Sequence, residues 1–305
     1  MGINAALASL LVGARLQGAA FSKTATIGRL RLRVPLDRLH GLADRLKRDL
    51  PGWQEPDWPT FSRDGYAEDF FRCFLGADVV RSFDCSTYQG ADIAHDFNRP
   101  LPSAHHGRFD AVVDGGTLEH IFDVKQTLSN YTALVRVGGH VMINTTANNF
   151  CGHGFYQFSP EFFFRVFDER NGFQLDEVIL MEAALEKFAS CRTQRCYRAE
   201  DPAKTGRRLL LVNDKPVLIF ANARRVGEQL PFAHPPAQSD YRAQWSTSTA
   251  YGENQEPPKP KRPQTKRPTG RAFRFGSPLK QLTRRLAQRR ESSFWNRRRY
   301  RRFDP

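Results

Sequence analysis

The stretch FDAVVDGGTLEH, residues 109–120, decides how the rest of the chain is read. Residues 109–114 have the apolar density of a buried strand, and Gly115-Gly116 directly after it marks a tight turn. Two glycines at that place let a ligand approach the backbone closely. Glu119 beside His120 then offers a carboxylate and an imidazole for hydrogen bonding or proton transfer.

Toward the C-terminus, residues 124–137 read as a helix closed by Gly138-Gly139, and 140–145 (HVMINT) as the next strand. Ser159-Pro160-Glu161 signals a helix over 159–167, with Ser at N-cap and Pro at N1. Strands are expected at 173–181 and 215–221, with a basic, mobile insertion at 186–208 between them. Toward the N-terminus, 3–21 reads as an amphipathic helix and 23–32 as a strand running into a glycine turn at Gly28. Leu36, Leu39, Leu42, Leu46 and Leu50 recur at helical spacing over 35–50, a Pro- and Trp-bearing loop follows, and a helix over 65–75 stops at Gly76. Two short strands, 78–84 and 91–96, each end in aspartate. Alternating strands and helices predict an α/β fold, a doubly wound, mostly parallel sheet with helices on both faces.

Of 305 residues, 46 are Lys or Arg and 32 Asp or Glu, a formal charge of +14. Residues 256–305 hold 17 of the basic and 3 of the acidic residues, so the rest of the chain is balanced. The domain is therefore drawn at 1–228, and 229–305 as a Pro-rich linker with a basic, disordered tail and a short basic helix at 277–290. Arginines interleaved with Phe273, Phe275, Phe294, Trp295 and Tyr300 suit contact with nucleic acid or an anionic membrane surface. Five cysteines without a CxxC pair argue for a reducing, cytoplasmic setting.

In an open parallel sheet the ligand crevice lies beyond the carboxyl ends of the strands, where Asp84, Asp96 and Asp114 are expected. Carboxylates there accept hydrogen bonds from a ribose diol or an adenine amino group; singly, each could equally cap a turn. Eight of the eighteen residues over 150–167 are Phe or Tyr, more than a solvated connection needs. Phe163, Phe164 and Phe167 are assigned to the core, and Tyr156 and His153 to the wall of a pocket whose aromatic faces attract a cation. A metal site on Asp114, Glu119 and His120 is disfavoured, because adjacent residues on a helix point apart; no metal is expected.

Residues 109–123 (FDAVVDGGTLEHIFD) and 135–145 (VRVGGHVMINT), with the aspartate-tipped strands before them, resemble the class I S-adenosylmethionine-dependent methyltransferases. More narrowly, residues 82–102 together with DGGTLEH and 147–167 (ANNFCGHGFYQFSPEFFFRVF) are similar to a bacterial methyltransferase group. The resemblance covers roughly residues 20–182. It implies a Rossmann-like fold, S-adenosyl-L-methionine as cofactor, Asp84 at the ribose hydroxyls, Asp96 by the adenine, and Asp114, Gly115 and Gly116 along the methionine moiety. One departure stands out: the family's glycine-rich first loop is reduced to Gly28-Arg29, so that either the Arg29 side chain or the backbone there meets the cofactor carboxylate, or cofactor binding is weakened. For an alcohol acceptor, His120 or His153 is the base, with Glu119 and Tyr156 beside them. The implied activity is methyl transfer to a small-molecule or glycan acceptor. The competing reading is a noncatalytic nucleotide- or RNA-binding protein built on a degenerate version of the same fold.

Overall fold

The computed structural model describes residues 2–183, 195–229, 231–241, 292–294 and 296–303. The expected basic helix at 277–290, most of the tail and residues 186–194 of the basic insertion lie outside the described residues.

A nine-stranded mixed sheet organises the molecule in the order β11-β9-β8-β10-β7-β6-β2-β4-β5. Its parallel half comprises β5 (Ile93–Ala94), β4 (Val79–Asp84), β2 (Lys23–Ile27), β6 (Phe109–Asp114) and β7 (Val135–Asn148). From β2 the chain builds outward through β4 to β5, then returns to the other side of β2 for β6 and β7. That reversal of direction is the switch point at which such sheets open a crevice. The order defines a Rossmann-like α/β fold, as the residue pattern predicts, but the sheet is mixed rather than mostly parallel.

The other half is antiparallel. β10 (Val217–Arg225) lies between β7 and β8 (Phe173–Glu182) and pairs antiparallel with both; β9 (Cys196–Ala199) and β11 (Tyr300–Phe303) extend the edge in the same way. Two expectations are corrected here. The insertion at 186–208 contributes β9 and the short helix α6 (Pro202–Thr205), and the far end of the tail contributes β11. Tyr300, fully buried and edge-on to Phe294, supplies the apolar anchor that draws this basic segment onto the sheet.

Strand side chains alternate between two cores, as a period of two requires. Ala111, Val113, Met142, Ile179 and Phe220 face α1 (Ala5–Leu16), α2 (Leu36–Asp49) and α3 (Glu68–Leu75). Val112, Val141, Ile143, Val178 and Ile219 face α4 (Val124–Leu134) and α5 (Pro160–Val166). α1 buries residues on nearly every side rather than one stripe, so it is a core helix and not the amphipathic one expected. It is entered from β1 (Gly2–Asn4), paired with β3 (Arg31–Arg33), and is capped by the Asn4 side chain. α2 is amphipathic with Leu39, Leu42 and Leu46 inward, and α3 ends on left-handed Gly76, both as read.

Other boundaries differ. α4 stops at Leu134 and β7 begins at Val135, carrying Gly138-Gly139 inside the strand, because Gly139 packs where a Cβ would sit 2.6 Å from the Asp110 carbonyl oxygen. β5 is only two residues long, so Asp96 lies beyond it in a turn. Among the described residues no helix is long and apolar enough to cross a membrane.

Candidate functional site

At the switch point, Ile27 of β2 is in register with Phe83 of β4 and Asp114 of β6. The strand tips Asp84 and Asp114 therefore stand at one edge of the sheet on either side of Gly28. Gly28 takes φ +79, a conformation glycine adopts freely, and donates its N–H to the Phe83 carbonyl at 2.6 Å. Asp84 is half-buried; its Oδ1 accepts from the Cys85 N–H at 2.7 Å, and its Oδ2 lies toward Gly28, 3.8 Å from where a Cβ would be.

Asp114 has a different role from the one expected of a ligand-lining residue. It is fully buried and accepts four hydrogen bonds: Gly116 N–H at 2.8 Å and Thr117 N–H at 2.6 Å on Oδ1, Leu118 N–H at 3.0 Å and the Tyr131 hydroxyl at 2.8 Å on Oδ2. Its lone pairs are committed to shaping the turn that follows β6. Burial pushes its carboxyl up from the usual range, and those four donors pull the other way. Gly115 is buried against Leu30, whose side chain leaves no room for a Cβ, and Gly116 takes φ +109. Thr117 completes the turn by donating its hydroxyl to the Ile27 carbonyl at 2.9 Å, tying the β6 loop to the end of β2.

Two further residues singled out in the sequence have protein partners. The Arg29 guanidinium is ion-paired to Glu68 at 2.7 Å and Asp64 at 2.9 Å and stacks on the Tyr66 ring at 3.9 Å, so it braces α3. Asp96 caps its own turn, accepting from the backbone and side chain of Asn98 at 3.0 and 2.8 Å, bonds that hold its carboxyl below the usual range. It is exposed and faces Arg99 at 3.7 Å.

The turn shaped by Asp114 continues into one turn of 3₁₀ helix, Leu118–His120, which sends Glu119 inward and leaves His120 exposed. Glu119 Oε2 accepts from the Thr145 hydroxyl at 2.7 Å, whereas Oε1 is buried without a hydrogen-bond partner among the described residues. Burial raises this carboxyl to about 7, with the charge of Asp114 adding to the rise. Burial, then the neighbouring His153, lower the His120 imidazole.

The loop after β7 is laid against this turn. The Phe155 N–H donates to the Glu119 carbonyl at 2.8 Å, and Gly154 passes so near that a Cβ would lie 2.7 Å from the same oxygen. This contact places His153 Nε2 3.9 Å from Glu119 Oε1, and its ring 5.2 Å from that of His120. Glu119, His120 and His153 therefore converge, as the sequence suggests. Tyr156 does not join them: its hydroxyl donates to the Phe122 carbonyl at 2.8 Å, and its ring packs on Phe158. Phe163 and Phe167 are core, while Phe164 is only half-buried. Phe122 and Phe155, 71% and 67% exposed, meet edge-on at the rim.

Sequence reasoning missed Thr117 and Thr145. The latter is two residues past the β7 position in register with Asp114, a relationship that needs the strand pairing to be known. A cavity of about 780 Å³ lies away from this crevice, at the β9/β11 edge, between Tyr197, Phe294 and Arg302.

Neither a protein-family model nor a curated protein sequence matches the chain. Solved structures do match it in outline. An S-adenosylmethionine-dependent methyltransferase from Mesorhizobium loti is 14% identical, with a TM-score of 0.37 over 72% of this chain and 98% of that one. The 1,6-didemethyltoxoflavin-N1-methyltransferase of Burkholderia thailandensis, with its substrate and S-adenosylhomocysteine bound, is 14% identical, with a TM-score of 0.34 over 72% of this chain and 77% of that one. The YcgJ protein from Bacillus subtilis is 9% identical, with a TM-score of 0.38 over 72% and 100%. At these scores it is the strand order, not the alignments, that assigns the fold.

Proposed function

We propose that the protein is an S-adenosylmethionine-dependent methyltransferase acting on a small-molecule or glycan acceptor. The observation that carries this reading is the pairing, at one switch point, of a half-buried carboxylate on the β4 tip with a carboxylate–imidazole group on the loops after β6 and β7. Asp84 Oδ2, beside Gly28, suits a ribose diol. The buried Gly115-Gly116 backbone and the Thr117 turn suit close packing along the remainder of the cofactor. Arg29 is engaged by Asp64 and Glu68 and Asp114 by the turn after β6, which leaves the backbone at Gly28-Arg29 to meet the carboxylate end of the cofactor. When bound, the cofactor supplies an electrophilic methyl group on sulfur.

The chain's own contribution is alignment and proton handling. Loops after β6 and β7 hold the acceptor in line and limit water. For an alcohol acceptor, His153 or His120 would take the hydroxyl proton, leaving the oxygen as the nucleophile toward the methyl group the cofactor would supply. For an amine acceptor the same residues position the nucleophile. The exposed Phe122–Phe155 pair suits an apolar or sugar-ring face of the acceptor.

Calorimetry with S-adenosylmethionine and S-adenosylhomocysteine tests the cofactor half of the reading. Wild-type binding, weakened about 10–100-fold in Asp84→Ala, is expected from the loss of a charge-assisted bidentate contact. Absence of heat from the wild type at millimolar ligand would sink it. Transfer of labelled methyl into fractionated small-molecule and glycan pools then identifies the acceptor class.

A further inference from the structure

We propose that Glu119, His120 and His153 form a binding site for a divalent transition-metal cation. One carboxylate oxygen and two imidazole nitrogens, one from each residue, all lie within 4.8 Å of one another. The objection that neighbours in sequence point apart holds along a regular helix. Here Glu119 and His120 sit on a single 3₁₀ turn, and the third donor arrives from a different loop. Asp114, the partner that sequence reasoning weighed for such a site, has no lone pair to spare.

A second, independent observation points to a ligand. Glu119 is 0% exposed, and its Oε1 has no hydrogen-bond partner among the described residues and lies 3.9 Å from His153 Nε2. A buried carboxylate oxygen without a donor is destabilising, and a cation in the gap would offset that cost. The other oxygen is fixed by Thr145, the kind of outer hydrogen bond that orients a ligating carboxylate. The turn beneath is fixed by Asp114, and the opposing loop by the Phe155–Glu119 backbone bond. The carboxylate is therefore pre-set, and the exposed imidazoles close toward it to reach metal–ligand distances of about 2.0–2.2 Å.

Two nitrogens and one oxygen are the donor set for zinc, cobalt, manganese or ferrous iron rather than for calcium or magnesium, which favour all-oxygen shells. Three protein ligands leave at least one position open on the exposed side. If the methyl-transfer reading holds, a bound cation takes up the imidazole nitrogens that otherwise serve as base, and the open position suits an acceptor oxygen, whose proton the cation would make easier to lose.

The test uses the full chain, dialysed against chelator and titrated with Co²⁺ under visible absorption, followed by Zn²⁺ competition. Glu119→Gln, His120→Gln, His153→Gln and Cys151→Ser are compared, with circular dichroism confirming that each is folded. One Co²⁺ per chain, displaced by Zn²⁺, is expected, with affinity falling about 10–100-fold in each of the first three variants and unchanged in Cys151→Ser. Zn²⁺ should also raise the unfolding temperature of the wild type and not of Glu119→Gln. Equal affinity in Glu119→Gln and wild type, no saturable Co²⁺ binding, or a thiolate-to-cobalt band lost in Cys151→Ser would each overturn the proposal. Cobalt is read without S-adenosylmethionine, so failure of this site and failure of the cofactor reading are separate outcomes.

Discussion

The Tyr131 hydroxyl on α4 donates to Asp114 Oδ2 at 2.8 Å, deep in the interior, and through that bond the helix after β6 holds the turn that carries Glu119. Oδ2 also receives the Leu118 N–H and Oδ1 two more backbone N–H groups, so the carboxylate is a structural hub. Tyr131→Phe is expected to cost about 1–2 kcal/mol, and Asp114→Ala about 3 kcal/mol or more, because the latter strands three buried N–H donors. Urea denaturation of both variants checks the order. Asp114→Ala as stable as wild type would return Asp114 to the ligand-lining role.

Of the four charged residues the resemblance places at the cofactor, Arg29, Asp84, Asp96 and Asp114, Asp84 alone has a side-chain oxygen beside Gly28. Arg29→Ala and Asp96→Ala should leave S-adenosylhomocysteine affinity within about 2-fold of wild type, against the larger loss in Asp84→Ala. Arg29→Ala should instead lower stability by about 1–2 kcal/mol as Asp64, Glu68 and Tyr66 lose their shared partner. A drop in affinity for Arg29→Ala with stability intact would reverse that assignment.

Acid sensitivity has a source in His140 of β7, hydrogen-bonded to Asn222 at 3.0 Å, 3.6 Å from Asp176 and near Arg224 and Arg136. Burial lowers its imidazole below the ordinary 6.5, against the raising effect of Asn222 and Asp176. The folded chain then holds fewer protons than the unfolded one just below that value, so this residue's contribution is intact above it and is lost as pH falls through the folded value. His140→Gln, which keeps a polar contact to Asn222 and cannot titrate, should lose less stability than wild type between about pH 7 and pH 5. Parallel denaturation curves at the two pH values decide it, and identical slopes would count against the role.

The buried Tyr300 makes the edge strand β11 separable from the rest of the basic segment. Tyr300→Ala should cost about 3 kcal/mol by leaving a cavity against Phe294, whereas Tyr300→Phe should be neutral or stabilising, since its hydroxyl is buried without a partner among the described residues. Thermal unfolding of both distinguishes packing from polarity. Indifference to Tyr300→Ala would mean the strand adds nothing to the fold.

Much of the fold was legible because period and punctuation are local. The FDAVVD run, the leucines of α2 and the Gly76 stop each declare an element within a dozen residues. The failures have a common physical origin in distant contacts. Gly138-Gly139 read as a helix stop is the interior of β7, since the Asp110 carbonyl, not helix capping, demands the missing Cβ. β9 and β11 were hidden in basic stretches because two buried tyrosines and an edge supply their stability.

By itself the sequence determined the alternation of elements, the doubly wound class, and the set of residue types brought to the strand tips, because side-chain period and glycine placement act within a few residues. Only the tertiary structure decided what those tips do. Whether a carboxylate is a ligand, a cap or a hub depends on which donors the neighbouring loops deliver to it, and burial sets the cost of leaving it unpaired. So Asp114 is saturated, Asp96 caps a turn, Asp84 faces the crevice, and Glu119 is left with one buried oxygen toward two histidines.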